Sequence, residues 1–130
     1  MQQDKAPPLV LVIDDDTFSQ EFFSEMLEHC GVTDVHYAGN GAKALRTLST
    51  LPRTPDLLIC DIFMPDMDGI EFLDHLAKAH YTGNILLVSG EDVSMMAIAV
   101  EVAKANGLKL LGALTKPVSM HFLKQALSTV

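Results

Sequence analysis

Five short runs with strand character alternate along the chain with five segments of helical periodicity, and this alternation narrows the accessible folds most. The runs occupy residues 9–13, 34–38, 57–60, 85–88 and 110–115. Several are apolar at every position, as in Leu9-Val10-Leu11-Val12-Ile13 and Leu57-Leu58-Ile59-Cys60. A strand reads this way when both of its faces are buried, which is the condition of a parallel sheet covered by helices on each side. The expected class is therefore α/β, a doubly wound five-stranded parallel sheet with helices on both faces.

The intervening segments carry helix punctuation. Thr17 followed by Gln20 fits a capping box, and Phe22, Phe23, Met26, Leu27 and Cys30 recur at helical spacing before Gly31 stops the run. Asn40 caps a helix carrying Ala44, Leu45, Leu48 and Leu51, which ends before Pro52. Asp68 with Glu71 forms a second capping box ahead of the stripe Phe72, Leu73, Leu76 and Ala77. A fourth helix is predicted over 93–106, with Gly107 as its stop. Ser119 caps a last one, with Phe122, Leu123, Ala126 and Leu127 inward. Residues 9–130 form one domain and residues 1–8 a disordered leader.

A chain of 130 residues buries a sizeable core without disulfides or a structural metal. It has no uninterrupted apolar stretch of the roughly 18–20 residues a spanning helix needs. Its first residues, Met1-Gln2-Gln3-Asp4-Lys5, lack the basic and apolar regions of a secretory signal. The expectation is a cytoplasmic protein with no membrane partner. A net charge of −8, with only nine scattered Lys and Arg residues, argues against nucleic-acid binding. Cys30 and Cys60 have no metal-type spacing and read as packed thiols. His29, His36, His75, His80 and His121 form no ligand pattern either.

The chemistry gathers at the ends of the strand-like runs, where an open α/β sheet presents its ligand crevice. Asp61 closes the third run and opens the turn Ile62-Phe63-Met64-Pro65-Asp66-Met67-Asp68-Gly69. Asp14-Asp15-Asp16 closes the first run. Ser89-Gly90 follows the fourth, and Lys116-Pro117 the fifth. If the first and third runs are neighbours, several carboxylates converge. Such crowding of like charge raises carboxylate pKa values and is tolerated mainly beside a hard divalent cation. The plain structural alternative for Asp14 to Asp16 is interaction with the dipole of the helix that follows, for which one carboxylate would be enough.

Taken in order, these four motifs resemble the receiver domain of two-component response regulators, over nearly the whole span 9–130. The resemblance implies a flavodoxin-like fold of receiver type. It also implies Asp61 as phosphoacceptor, Ser89 and Lys116 as groups contacting the phosphoryl oxygens, and Mg2+ as cofactor. Asp15 and Asp61 would be direct ligands, Asp14 would act largely through water, and the backbone carbonyl of Phe63 would add a further oxygen. Asp16 would point elsewhere, and the Lys116–Pro117 peptide would be cis. The implied donor is a histidine kinase or a histidine phosphotransfer protein. The domain would catalyse only its own phosphorylation and dephosphorylation.

Two departures from the family pattern stand out. Ser89 replaces the commoner Thr, and Ala113 occupies the position where the family usually carries Tyr or Phe as a switch. A signal would then have to pass through another element. The fourth helix is apolar on nearly every face, through Met95, Met96, Ile98, Val100 and Val102. It reads as a contact surface for a homodimer or an output domain; the alternative packs its larger residues inward. A looser resemblance, in the stretch 106–117, is to receivers joined to EAL-type cyclic-di-GMP phosphodiesterase domains. Two other functions fit the residues less well. A phosphatase of the haloacid dehalogenase class needs Asp-x-Asp-x-Thr/Val after its first strand, but Phe18 stands at that last position. A flavodoxin-like cofactor carrier needs a first loop rich in Ser, Thr and Gly, and three aspartates would repel its phosphate.

Overall fold

A computed structural model describes residues 7–64, 66–90 and 93–130. The elements alternate without exception: β1 (Leu9–Ile13), α1 (Thr17–His29), β2 (Asp34–Ala38), α2 (Gly41–Thr50), β3 (Leu57–Asp61), α3 (Gly69–Lys78), β4 (Asn84–Ser89), α4 (Val93–Ala105), β5 (Lys109–Thr115) and α5 (Met120–Ser128). All strand pairs are parallel, in the order β2-β1-β3-β4-β5. The fold class read from the chain is thus the one observed.

The continuous apolar runs follow from how the sheet is covered. Along β1, Leu11 and Ile13 face one core and Val10 and Val12 the other. Leu58 and Cys60 of β3 and Ile85 and Leu87 of β4 join the first core. Leu57, Ile59, Leu86 and Val88 join the second. Phe72, Leu73 and Leu76 of α3, Ala44 of α2, and Ala99 and Ala103 of α4 close the first. Phe23, Met26 and Leu27 of α1 and Leu123 of α5 close the second. Burying one such Leu or Phe side chain contributes about 1.5–3 kcal/mol, so a polar residue at any of these strand positions would open one layer or the other. At the edges the pattern weakens: β2 is only partly covered, and β5 carries an irregularity opposite Ile85 and Leu86.

Helix starts agree with the sequence reading at Asn40, Asp68 and Ser119, whose side chains accept from the backbone N–H of Lys43, Glu71 and Phe122. At α1 they do not. Asp16, not Thr17, is the cap and accepts from the N–H of Phe18, while the Gln20 amide donates to the carbonyl of Asp14 at 2.6 Å. An aspartate one residue earlier competes better for the free N–H groups, because a charged acceptor makes the stronger bond. Gly31 (φ +80°) and Gly107 (φ +71°) take the left-handed conformation that ends α1 and α4. Of the proposed leader, residues 1–6 lie outside the described residues. Within it, the carbonyl of Pro7 accepts from Arg53 at 2.9 Å.

The fourth helix packs part of its apolar surface inward and leaves part at the surface. Ala99 and Ala103 are fully buried, and Met95, Met96 and Val102 pack against the first core. Ile98 is half exposed, at 51%. No helix among the described residues is long and apolar enough to cross a membrane.

Candidate functional site

The strand order reverses direction between β1 and β3, and the crevice of such a sheet opens at this switch point, beyond the carboxyl ends of the strands. Ile13 is registered against Cys60, so the next residues on each strand, Asp14 and Asp61, meet across that crevice. Asp14 is held in place from three sides. Its N–H donates to Ala38 at 3.0 Å, its carbonyl accepts from Gln20, and its Oδ1 accepts from the N–H of Asp16 at 2.9 Å. On β3, the Phe63 N–H donates to Asp61 Oδ1 at 3.1 Å. Carboxylate oxygens of Asp14, Asp15 and Asp61 all lie within 4.8 Å of one another; Asp14 and Asp61 are buried and Asp15 is exposed.

Lys116 enters from β5, two strands away. Its N–H donates to the Ser89 carbonyl at 2.9 Å, and the Lys116–Pro117 peptide is cis. Its Nζ donates to Asp14 Oδ2 at 2.8 Å, to Asp61 Oδ2 at 3.1 Å and to Ser19 Oγ at 3.1 Å. Ser89 ends β4 one position beyond Val88, the register partner of Asp61, and is buried.

Charge and burial oppose each other here. Burial pushes the Asp61 carboxyl above its ordinary range, the Lys116 ammonium pulls it back, and the Asp14 charge pushes it up again, with a net rise. Burial alone would make Lys116 easier to deprotonate, but its hydrogen bond to Asp14 and the charges of Asp61 and Asp14 together raise it, so the ammonium persists. Cys60 lies fully buried behind the site and donates to the Asp61 carbonyl at 3.3 Å; burial, then the two carboxylates, raise its thiol pKa. One ammonium thus faces two buried carboxylates and a third exposed one. A set of hard oxygen donors carrying more negative than positive charge fits a cation such as Mg2+.

The structure therefore brings together Asp14, Asp15, Asp61 and Lys116 as read from the sequence, with Ser89 on the adjoining strand end and Phe63 bonded through its N–H. Asp16 turns away to cap α1. Sequence reasoning misses Ser19 and the role of Gln20, whose spacing from Thr17 reads as a capping box. The spacing Asp16-x-x-Ser19 was the available signal.

Comparison with known proteins agrees with this geometry. The model of the response regulator receiver domain matches residues 10–128. The chain is 29% identical over 124 residues to the transcriptional regulatory protein DpiA of Escherichia coli (strain K12), covering 95% of this chain and 52% of that protein. It is 33% identical over 109 residues to the Regulator of RpoS of the same organism, covering 84% of this chain and 30% of that protein. The chain thus spans about half the length, or less, of these curated relatives. The crystal structure of a response regulator receiver protein from Pseudomonas putida superposes with a TM-score of 0.78 at 25% identity, covering 98% of this chain and all of the other. A five-stranded parallel sheet with an acidic switch point, matched by a family model over nearly its whole length, makes this chain a member of the response regulator receiver domain family of two-component signalling.

Proposed function

We propose that the chain accepts a phosphoryl group on Asp61 from a histidine kinase or a histidine phosphotransfer protein. The observation that carries this reading is the contact of Lys116 Nζ with both Asp61 Oδ2 and Asp14 Oδ2 inside a buried acidic crevice. In the transfer, an Asp61 carboxylate oxygen attacks phosphorus and the bond from phosphorus to the donor imidazole breaks, the imidazole leaving as the neutral ring once protonated. Little covalent work falls to the protein in such a transfer; positioning and charge compensation dominate. Lys116 lies close enough to move from Asp61 Oδ2 onto a phosphoryl oxygen, and Ser89 would supply a hydroxyl from the end of β4. Asp14, Asp15, Asp61 and the Phe63 carbonyl would hold Mg2+, which when bound offsets the negative charge shared by carboxylate and phosphoryl group.

On this reading the domain is a switch and not a turnover enzyme. Phosphorylation replaces one negative charge at Asp61 with roughly two and adds acceptor oxygens, which draws Ser89 and the segment after it toward the site. With Ala113 on β5, the fourth helix is the proposed carrier of the change, and its exposed Ile98 the proposed contact for a second copy or an output domain. A cytoplasmic location and the absence of nucleic-acid binding by this domain belong to the same proposal. The haloacid dehalogenase alternative draws no support from the comparisons, in which the receiver-domain model matches residues 10–128.

The test is incubation with acetyl phosphate or phosphoramidate and Mg2+. The expected product is an acid-stable, base-labile adduct on Asp61, absent from Asp61→Asn. Equal labelling of that variant, or a phosphoryl group found on histidine, overturns the assignment.

A further inference from the structure

Resting on the phosphoacceptor reading above, we infer that Ser19 is a positioning residue for Lys116, and that together with Asp14 it forms a fixed pivot on which the lysine turns toward the phosphoryl group. An ammonium has three N–H donors. In the structure all three have an acceptor: Asp14 Oδ2 at 2.8 Å, Asp61 Oδ2 at 3.1 Å and Ser19 Oγ at 3.1 Å. A bond to a phosphoryl oxygen therefore has to replace one of them.

The chemistry decides which one yields. Asp14 is 1% exposed, and an anion so buried loses much if its cation leaves. Asp61 is the group that changes: once it is an acyl phosphate, its carboxyl no longer carries the negative charge that held the ammonium, and the new charge sits on the phosphoryl oxygens beyond it. The bond to Asp61 is thus the exchangeable one, and Asp14 and Ser19 stay. Ser19 is itself oriented. Its hydroxyl lies 3.4 Å from Asp16 Oδ2 and donates toward it, which leaves an oxygen lone pair for Lys116. Asp16, whose other oxygen caps α1, so acquires a second task through Ser19. The lysine is anchored on the β1 end and on the first turn of α1, elements that adjoin the acidic crevice.

The experiment compares wild type, Ser19→Ala, Ser19→Thr, Lys116→Ala and the double variant Ser19→Ala/Lys116→Ala. The rate of adduct formation from acetyl phosphate in saturating Mg2+, the affinity for beryllofluoride, the affinity for Mg2+ alone and the melting temperature are measured for each. Loss of one charge-assisted hydrogen bond should lower the adduct rate and the beryllofluoride affinity of Ser19→Ala by about five- to tenfold. Mg2+ affinity and melting temperature should stay near wild type, because Ser19 is neither a ligand nor buried. Ser19→Thr, which keeps the hydroxyl, should recover most of the loss. In the Lys116→Ala background the Ser19→Ala change should have no further effect. A full Ser19→Ala effect in that background, or no effect in the wild type, would overturn the inference. Absence of any Asp61 adduct in the wild type would instead overturn the phosphoacceptor reading, so the two failures are told apart.

Discussion

Lys116 Nζ donates to Asp61 Oδ2 at 3.1 Å, joining residues that are 55 positions apart in sequence and two strands apart in the sheet. The same ammonium holds Asp14 Oδ2 at 2.8 Å, so one cation compensates two buried carboxylates. Most of what the site does at rest, and what perturbs it, follows from this imbalance.

Lys116→Ala should destabilise the Mg2+-free domain by about 1–3 kcal/mol, the cost of leaving buried acceptors without their charged donor. The lysine is still 23% exposed on its side chain, so water offsets part of the loss. Mg2+ should rescue this variant more than it stabilises the wild type, because cation and ammonium answer the same carboxylates. Denaturant titration with and without Mg2+ checks both statements; equal rescue of the two proteins would count against shared acceptors.

Mg2+ should stabilise the wild type by about 2.7 kcal/mol at a hundredfold excess over its dissociation constant. Asp15→Asn should weaken that response while leaving the Mg2+-free protein nearly unchanged, since Asp15 is exposed and has no ion pair among the described residues. A melting temperature indifferent to Mg2+ in the wild type would remove the metal site from the account.

Asp61 should make the Mg2+-free protein less stable as pH rises. Its folded pKa is raised, chiefly by burial against the opposing pull of Lys116. A raised carboxyl gives its full stability below the ordinary carboxylate value, and that stability drains away as pH climbs through the raised one. Wild type minus Asp61→Asn should therefore fall in stability with increasing pH across this window in chelator, and fall less in Mg2+. A flat difference in chelator would show that the carboxyl ionises in the fold without penalty.

Gly69→Ala should lower stability without touching the site's charges. A Cβ at this position would stand 2.8 Å from the backbone Cα of Ile62, and the Gly69 N–H donates to the Ile62 carbonyl at 2.7 Å. Backbone cannot swing aside as a side chain can, so a cost of about 1–3 kcal/mol is expected. Unchanged melting of this variant would mean that the turn from β3 to α3 is looser than the contact implies.

Cys60 should resist thiol reagents in the native protein up to alkaline pH, because burial and then the nearby Asp61 and Asp14 charges hold its thiol protonated. Cys30 is partly exposed and should be the thiol that labels first. Mass analysis after timed labelling, with and without denaturant, reads this out; early modification of Cys60 would contradict the burial.

The local features were legible in the chain because their causes are local. Continuous apolar runs at β1, β3 and β4 report two buried faces, and Asn40, Asp68 and Ser119 are each followed by a backbone N–H that needs an acceptor. Where two acceptors competed for one helix start, at Asp16 and Thr17, spacing could not rank them and the packed geometry did. The alternation of strand and helix also carried the class of sheet. What spacing cannot carry is a contact between residues far apart in sequence. That Asp14 meets Asp61 depends on β1 pairing with β3, and that Lys116 reaches both depends on the position of β5 in the sheet. Without the family resemblance, the chain shows only polar residues at strand ends. The bond from Lys116 to Ser19, across 97 positions, was beyond even that resemblance. It exists because the Lys116 side chain, just past β5, reaches to the first turn of α1 beside β1, and only the folded sheet sets that distance.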